Sequence, residues 1–539
     1  MTAHDDLRYI ATGFWEGTEM AGAKETVNLD ALIERADFEL EEKGAAAGRM
    51  GSELTLTTLT PEDRLAVLRK PDFQRETSGW SPNIVADFIE SVANADVVPA
   101  LIIWRSPTSG KQFVIDGAHR LSAIAAWVNN DYGDGGISEA FYGKENISEH
   151  QRQVAKKTRD LVEDQVGRYH DLIEYARKLR AAPTQRVERF ASNIHAVPLY
   201  VQQIPGDAGA AEKSYKRINS TAVAINRQEL FLIDSRHYPA GIATRAILRA
   251  GTGYEYWWRF PDPTKSDIKS TAALIYEQLI KPITEYPLKA LDLPSPKGGY
   301  GANSLRTILD LVTILNPQKR NMEKDLDGTE TLKLLEHVRR STERVFGKSH
   351  SGSLALHPAL YCYDISGKFV GKAFIGAIEF VRELERRNLF YAFTEVRGRF
   401  EDFLIRYPHL MTQIGKTQGS GGRRGVPAVV ALYNTLFDGL RQGKSEAEII
   451  ATIKESKALS FLDWNEPIEN DAGKRFTDAD KATALIKTAL AREICDECGG
   501  RMYIKDRSFD HRERLADGGR SVASNAALTH PYCNSGYKE

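Results

Sequence analysis

Cys495-Asp-Glu-Cys498 and His530-Pro-Tyr-Cys533 form a C-x2-C and H-x2-C pair near the C-terminus. Two ligand pairs, each with a two-residue gap, suit a tetrahedral zinc ion held by thiolate and imidazole, and a closed set of four is structural. The pattern therefore defines a small metal-bound module at this end of the chain. Inside it lies a second set of chemically capable residues. Asp510 and His511 are adjacent, Asn525 follows after 525 − 511 = 14 residues, and Asn534 after a further 534 − 525 = 9. A histidine beside a carboxylate can move a proton, and carboxylate and amide oxygens can hold a hard cation. Sulfur ligands favour zinc while oxygen ligands favour magnesium or manganese, so two metals should not compete strongly.

This ordered set resembles an HNH nuclease of the ββα-metal type, in the variant with asparagine at the last position. The resemblance implies that His511 is the general base acting on the attacking water. It implies that Asp510 and Asn534 hold one Mg²⁺ or Mn²⁺ on the scissile phosphate, and that Asn525 bridges the hairpin and orients the His511 ring. Cys495, Cys498, His530 and Cys533 would hold the structural Zn²⁺. Phosphodiester hydrolysis needs an activated water and a cation at the developing negative charge, which is what these residue types supply.

The remaining composition narrows the class. At 539 residues the chain has room for three or four domains, and 42% hydrophobic with 27% charged residues reads as a soluble globular protein. Met1-Thr-Ala-His-Asp-Asp has neither the basic start nor the apolar run of a secretory signal. No stretch approaches the roughly 18 apolar residues of a membrane span. Three of the four cysteines belong to the zinc pattern and Cys362 stands alone, so no disulfide framework is expected and a reducing cytoplasm fits. Net charge is −1, without a global nucleic-acid signature. Residues 151–190 carry ten Lys or Arg against six Asp or Glu, which a solvated helix face explains at least as well as a phosphate track.

A second motif lies nearer the N-terminus. Val97–Arg105 and Lys111–Ile115 are apolar runs separated by the turn residues Pro107-Thr-Ser-Gly110, the pattern of a β-hairpin. Asp116-Gly117-Ala118-His119-Arg120 follows at once, and Leu121, Ile124, Ala125 and Val128 then recur at helical spacing. A glycine turn feeding a helix N-terminus, with a histidine and an arginine beside it, makes a phosphate site. Upstream stand Pro71-Asp-Phe-Gln74-Arg75 and Trp80; downstream stand Tyr215-Lys-Arg-Ile-Asn219 and Gln228-Glu-Leu230.

This series resembles the ParB/sulfiredoxin-like domain that opens GmrSD-type (Type IV) restriction endonucleases and the related SspE-like antiphage nucleases, over about residues 27–235. The resemblance implies binding of a nucleoside triphosphate, and in several members its hydrolysis. Gln74, Arg75, Asp116, Gly117, His119, Arg120 and Asn219 would form the nucleotide site, with His119 and Arg120 on the phosphates and Asp116 holding either a metal or the His119 side chain. Ala118 departs from the usual glutamine, which removes an amide that would position water or base. The same turn resembles that of sulfiredoxin, G-C-H-R, but Ala118 takes the place of the catalytic cysteine, and without a thiol the reductase chemistry cannot proceed. In a ParB clamp a helix-turn-helix would follow; Val197–Gln203 instead returns to a strand pattern.

Residues 236–485 read as mainly helical, with breaks expected at Pro287–Asn303 and in the glycine-rich loop Gly415–Pro427. Tyr254–Trp258 and the run containing His357 read as buried structure. The expected fold is α+β: an N-terminal arm 1–26, a ParB/sulfiredoxin-like domain 27–235, a helical region 236–485 and an HNH module 486–539. The expected function is a cytoplasmic, nucleotide-regulated, metal-dependent endonuclease acting on foreign DNA, modified or not. Two other readings stand beside it: a nucleotide-regulated DNA-binding protein with a structural zinc module, and an RNA-directed nuclease.

Overall fold

A computed structural model describes residues 26–41, 51–74, 76–147, 149–221, 231–232, 234–279, 302–316, 323–347, 352–364, 367, 369–417, 422–465, 478–503 and 507–536. The expected arm, apart from Thr26, lies outside them, as do Arg75, Gln228–Leu230, residues 287–301 and the side chain of Asn219. The chain is α+β, mostly helical, with one mixed sheet. No described helix is long and apolar enough to cross a membrane.

Six strands build that sheet: β1 (Arg35–Ala36), β2 (Glu53–Thr55), β3 (Leu68–Pro71), β4 (Leu101–Arg105), β5 (Gln112–Asp116) and β6 (Pro198–Gln203), in spatial order β1-β3-β5-β4-β6-β2. β4 and β5 pair antiparallel across the Ser106–Gly110 turn, where the Ser106 hydroxyl accepts from the amides of Thr108 and Ser109. Strand alternation divides the apolar residues between two faces. Leu101, Ile103 and Val114 enter one core with the Pro82–Ala93 and Ala118–Asn129 helices. Trp104, Phe113 and Ile115 enter another, with Phe38, Phe73 and Tyr215. The centre of the sheet is thus covered on both sides, which is why β5 reads as a nearly continuous apolar run.

A larger core runs from Ile242 to Leu490 and takes in Tyr532. The expected loop Gly415–Pro427 is corrected by the structure: the Pro408–Thr417 helix ends within it and the Gly422–Arg441 helix begins within it. Close packing accounts for one of its glycines, since a Cβ at Gly425 would collide with the stem of Lys372. In residues 151–190 several cations pair with neighbouring acids, Lys156 with Asp160 at 2.6 Å, Arg159 with Asp134 at 2.6 Å, and Arg180 with Asp171 and Glu174.

The sheet meets the helical region through charges buried around residues 30–39 and 70–77. Asp30 receives Arg35 at 2.8 Å, Lys70 at 2.6 Å and, from the helical side, Arg249 at 3.4 Å. Burial alone would raise the Asp30 carboxyl, but Arg35 and Lys70 outweigh it and hold the group well below the usual carboxylate range. Arg249 also pairs with Glu76. Beside it, the Tyr256 hydroxyl donates to the Asp72 carbonyl at 3.0 Å and Trp258 Nε1 donates to Asp37 at 3.2 Å; Tyr256 and Trp257 belong to the core, whereas Trp258 is exposed, so the expected burial holds for only part of the aromatic cluster. Removing one partner from a buried charge network costs about 3–5 kcal/mol, because the remaining charges stay buried. Arg249→Met is expected to lose that much in denaturant unfolding, and a second change, Glu76→Gln, to recover much of it. A single variant within about 0.5 kcal/mol of wild type would show that the interface does not depend on this pair.

Candidate metal centre and C-terminal hairpin

The C-terminal module is built on two short backbone devices. Cys495-Asp-Glu-Cys498-Gly499-Gly500 closes as a knuckle, with the Gly499 amide donating to the Cys495 carbonyl at 3.0 Å and the Cys495 amide to the Gly500 carbonyl at 2.9 Å. Gly499 sits at φ +67°, a conformation that favours glycine. The hairpin consists of β7 (Ser508–His511) and β8 (Ala526–Thr529), antiparallel with His511 opposite Ala526. Asp496 ties the two together: its amide donates to the Leu528 carbonyl at 2.9 Å and its carboxylate accepts from the Leu528 amide at 2.8 Å.

At the junction Cys495, Cys498, His530 and Cys533 bring one ligand atom each within 4.8 Å of one another. Cys498 Sγ lies 3.3 Å and Cys533 Sγ 4.0 Å from His530 Nδ1. Tetrahedral zinc bonds of about 2.3 Å to sulfur and 2.0–2.1 Å to nitrogen put such ligand pairs roughly 3.6 Å apart, so the spacing fits. His530 Nε2 lies 3.1 Å from the Arg501 carbonyl, which can only accept. That fixes the proton on Nε2 and turns the Nδ1 lone pair toward the sulfurs. Burial lowers the His530 pKa, keeping the ring neutral. The crowded thiols shift one another: the hydrogen bond with Cys498 lowers Cys495, while that with Cys495 raises Cys498 to about 12. A divalent cation would relieve this competition for protons.

The hairpin places the other expected residues. The His511 ring holds Ser521 Oγ through Nε2 at 2.9 Å, and its backbone amide donates to Asp510 Oδ1 at 2.8 Å. Asn525 spans the loop: Oδ1 accepts from the Glu513 amide at 2.8 Å, while Nδ2 donates to the carbonyls of Glu513 at 3.0 Å and Arg520 at 2.9 Å. The Arg512 amide donates to the Asn525 carbonyl at 2.9 Å. Asn534 stands on a single π-helical turn, Tyr532–Gly536, with Nδ2 donating to the Phe509 carbonyl at 3.1 Å and to Ser508 Oγ. Both bonds use nitrogen, so Oδ1 is the atom that would face a cation. The sequence does not mark Ser521, because no spacing rule singles out a hydroxyl in the Gly518-Gly-Arg-Ser521 loop.

In the N-terminal motif, Gly117 has φ +92° and opens the Ala118–Asn129 helix, so the helix begins within Asp116–Arg120. Arg120 pairs with Asp116 at 2.8 Å and also donates to the Pro99 carbonyl. His119 stacks on Trp80 with ring centroids 5.8 Å apart. Gln74 is buried and its Nε2 reaches the Ile115 carbonyl at 3.5 Å, leaving Oε1 without a hydrogen bond among the described residues. Gln74, Gly117, His119 and Arg120 therefore follow the C-terminal ends of the parallel strands β3 and β5, whereas Asn219 is placed only as a backbone position in the Ala208–Thr221 helix.

Residues 58–233 match the family model of the GmrSD restriction endonuclease N-terminal domain. The match contains the Gln74-Arg75 and Asp116–Arg120 motifs and supports a GmrSD-type relationship for this part of the chain. It stops well before the knuckle and hairpin. No curated protein and no solved structure matches the chain.

A knuckle of this kind draws on the order of 10 kcal/mol of folding free energy from its metal. Elemental analysis of the purified protein is expected to give one zinc per chain, and Cys498→Ser to lose that zinc together with the ordered hairpin, read by hydrogen exchange over residues 508–529. Native protein without zinc would remove the assignment.

Proposed function

We propose that the protein is a nucleotide-regulated, metal-dependent DNA endonuclease that acts in defence against phage or other foreign DNA. The observation that carries the reading is the hairpin, which gathers His511, Ser521, Asn525 and Asn534 over a four-donor knuckle. The GmrSD match supports the defence role, since that family is one of restriction endonucleases.

In this reading Ser521 Oγ accepts from His511 Nε2–H, and Nδ1 is left to take a proton from the attacking water. Asn525 holds the loop that carries Ser521, so the ring keeps its direction. Asp510 and Asn534 Oδ1 would hold Mg²⁺ or Mn²⁺, which when bound stabilises negative charge on the phosphate. At the other end of the chain, the helix N-terminus after Gly117 and the Arg120 guanidinium would receive a nucleotide phosphate, with Arg120 exchanging its Asp116 pair for the ligand.

Supercoiled plasmid incubated with Mg²⁺ and each nucleoside triphosphate is expected to be nicked or linearised. His511→Ala is expected to reduce the rate by at least ~10²-fold while keeping its zinc, the usual range for loss of a general base. Full activity in that variant would exclude His511 as the base. Cleavage of RNA with no cleavage of duplex DNA would move the reading to an RNA-directed nuclease.

A further inference from the structure

The zinc knuckle does not hang from the helical region on a tether; it is pressed into it. The Gly398 amide, in the middle of the Phe390–Arg406 helix, donates to the Cys498 carbonyl at 3.1 Å. A Cβ on Gly398 would lie 3.3 Å from the carbonyl oxygens of Cys498 and Gly499, and one on Gly500 would collide with Arg397, 2.7 Å from its Cδ. Glycine on both sides allows this approach. The Phe390 and Tyr532 rings meet edge-to-face at 5.5 Å, and the Tyr532 amide donates to the Ser353 carbonyl at 3.2 Å.

At the contact lie two fully buried charges. Arg397 Nε donates to Glu401 at 2.8 Å, Nη2 donates to the Ala355 carbonyl at 3.1 Å, and Nη1 donates to the Leu354 carbonyl. Glu401 accepts from the Tyr361 hydroxyl at 3.1 Å and from the backbone amide of Arg501. Arg501 in turn, through its carbonyl, accepts from His530 Nε2–H. A continuous path therefore runs from the Arg397 guanidinium through Glu401 and the Arg501 backbone to the imidazole whose Nδ1 faces the sulfurs. Burial disfavours charge on Arg397, but the Glu401 carboxylate more than offsets it. Three thiolates with one Zn²⁺ and a neutral imidazole carry a net charge of −3 + 2 = −1, which a nearby guanidinium complements.

We propose that Arg397 and Glu401 are positioning residues for the zinc site, supplied by the helical region, so that the knuckle reaches full zinc affinity only when docked on the Phe390–Arg406 helix. This rests on the zinc reading of the four-donor cluster and is independent of nuclease activity. Metal occupancy and helical packing then stabilise each other by linkage.

The test is zinc affinity in the full chain, measured by competition with a chromogenic chelator of known affinity. Changes just outside the ligands of a metal site typically cost about 10- to 100-fold in affinity. Arg397→Met is expected to fall in that range. Because it strands Glu401, the double variant Arg397→Met/Glu401→Gln replaces the buried pair by neutral side chains of similar size, a change that folds tolerate well. That double variant is expected to keep wild-type circular dichroism at saturating zinc and still to bind zinc at least ~10-fold more weakly. If it fails to fold, Glu401→Gln alone, which keeps an acceptor for the Arg501 amide and loses the counter-charge to Arg397, is expected to show a smaller loss. Arg344→Met, which breaks a surface pair with Glu385, is expected to leave affinity unchanged. A native protein with one zinc whose Arg397 and Glu401 variants bind zinc with wild-type affinity would overturn the proposal. A native protein without zinc would instead overturn the zinc reading on which it rests.

Discussion

Arg397 and Glu401 form an ion pair with no exposed side-chain surface, set where the Phe390–Arg406 helix meets the Cys495–Gly500 knuckle. Such a pair is a weak way to hold two apolar surfaces together, since desolvation can cancel its attraction. Its placement has another logic. The knuckle presents peptide groups as well as side chains to its neighbour, and buried peptide groups need hydrogen-bond partners. The carboxylate of Glu401 satisfies the Arg501 amide, the guanidinium satisfies the carbonyls of Leu354 and Ala355, and each charge stabilises the other. This contact, with the Phe390–Tyr532 rings and the Tyr532 amide on the Ser353 carbonyl, is part of what holds the knuckle and its hairpin against the helices.

A second buried network plays the corresponding part between the sheet and the helices. Asp72, Gln74 and Glu76, around the GmrSD-like motif, are gripped from the sheet side by Arg35 and from the helical side by Arg249, Tyr256 and Arg236. A ligand that moved these residues would have to rearrange charges shared with the helical region, which bears in turn on the knuckle. Spatial continuity alone does not couple two sites; it supplies the body through which a two-state change would act.

Local structure was legible from the chain. The hairpin Leu101–Asp116, the glycine turn at Gly117 and the helix after it follow from alternation, turn chemistry and 3.6-residue spacing. The Cys–His pattern marked its cluster because metal geometry restricts ligand spacing. What stayed hidden depends on contacts distant in sequence. Arg397 and Gly398 look like ordinary members of a charged helix until the knuckle is seen against them. Gly425 reads as part of a linker until the Lys372 stem is found packed on it. Tyr256 and Trp258 read as core, and only the fold shows that their polar ends reach across to Asp72 and Asp37.

If the knuckle and the helical region are one cooperative body, removing the metal must be felt inside the helices. Hydrogen–deuterium exchange of the full-length protein, before and after zinc is withdrawn by a chelator, reads this residue by residue. The amides of the Phe390–Arg406 helix are expected to lose protection together with those of Cys495–Gly500, while the Pro82–Ala93 helix against the six-stranded sheet keeps its own. Unchanged protection in Phe390–Arg406 alongside full exchange in Cys495–Gly500 would show that the knuckle is an independent appendage and that the helical region does not build its metal site.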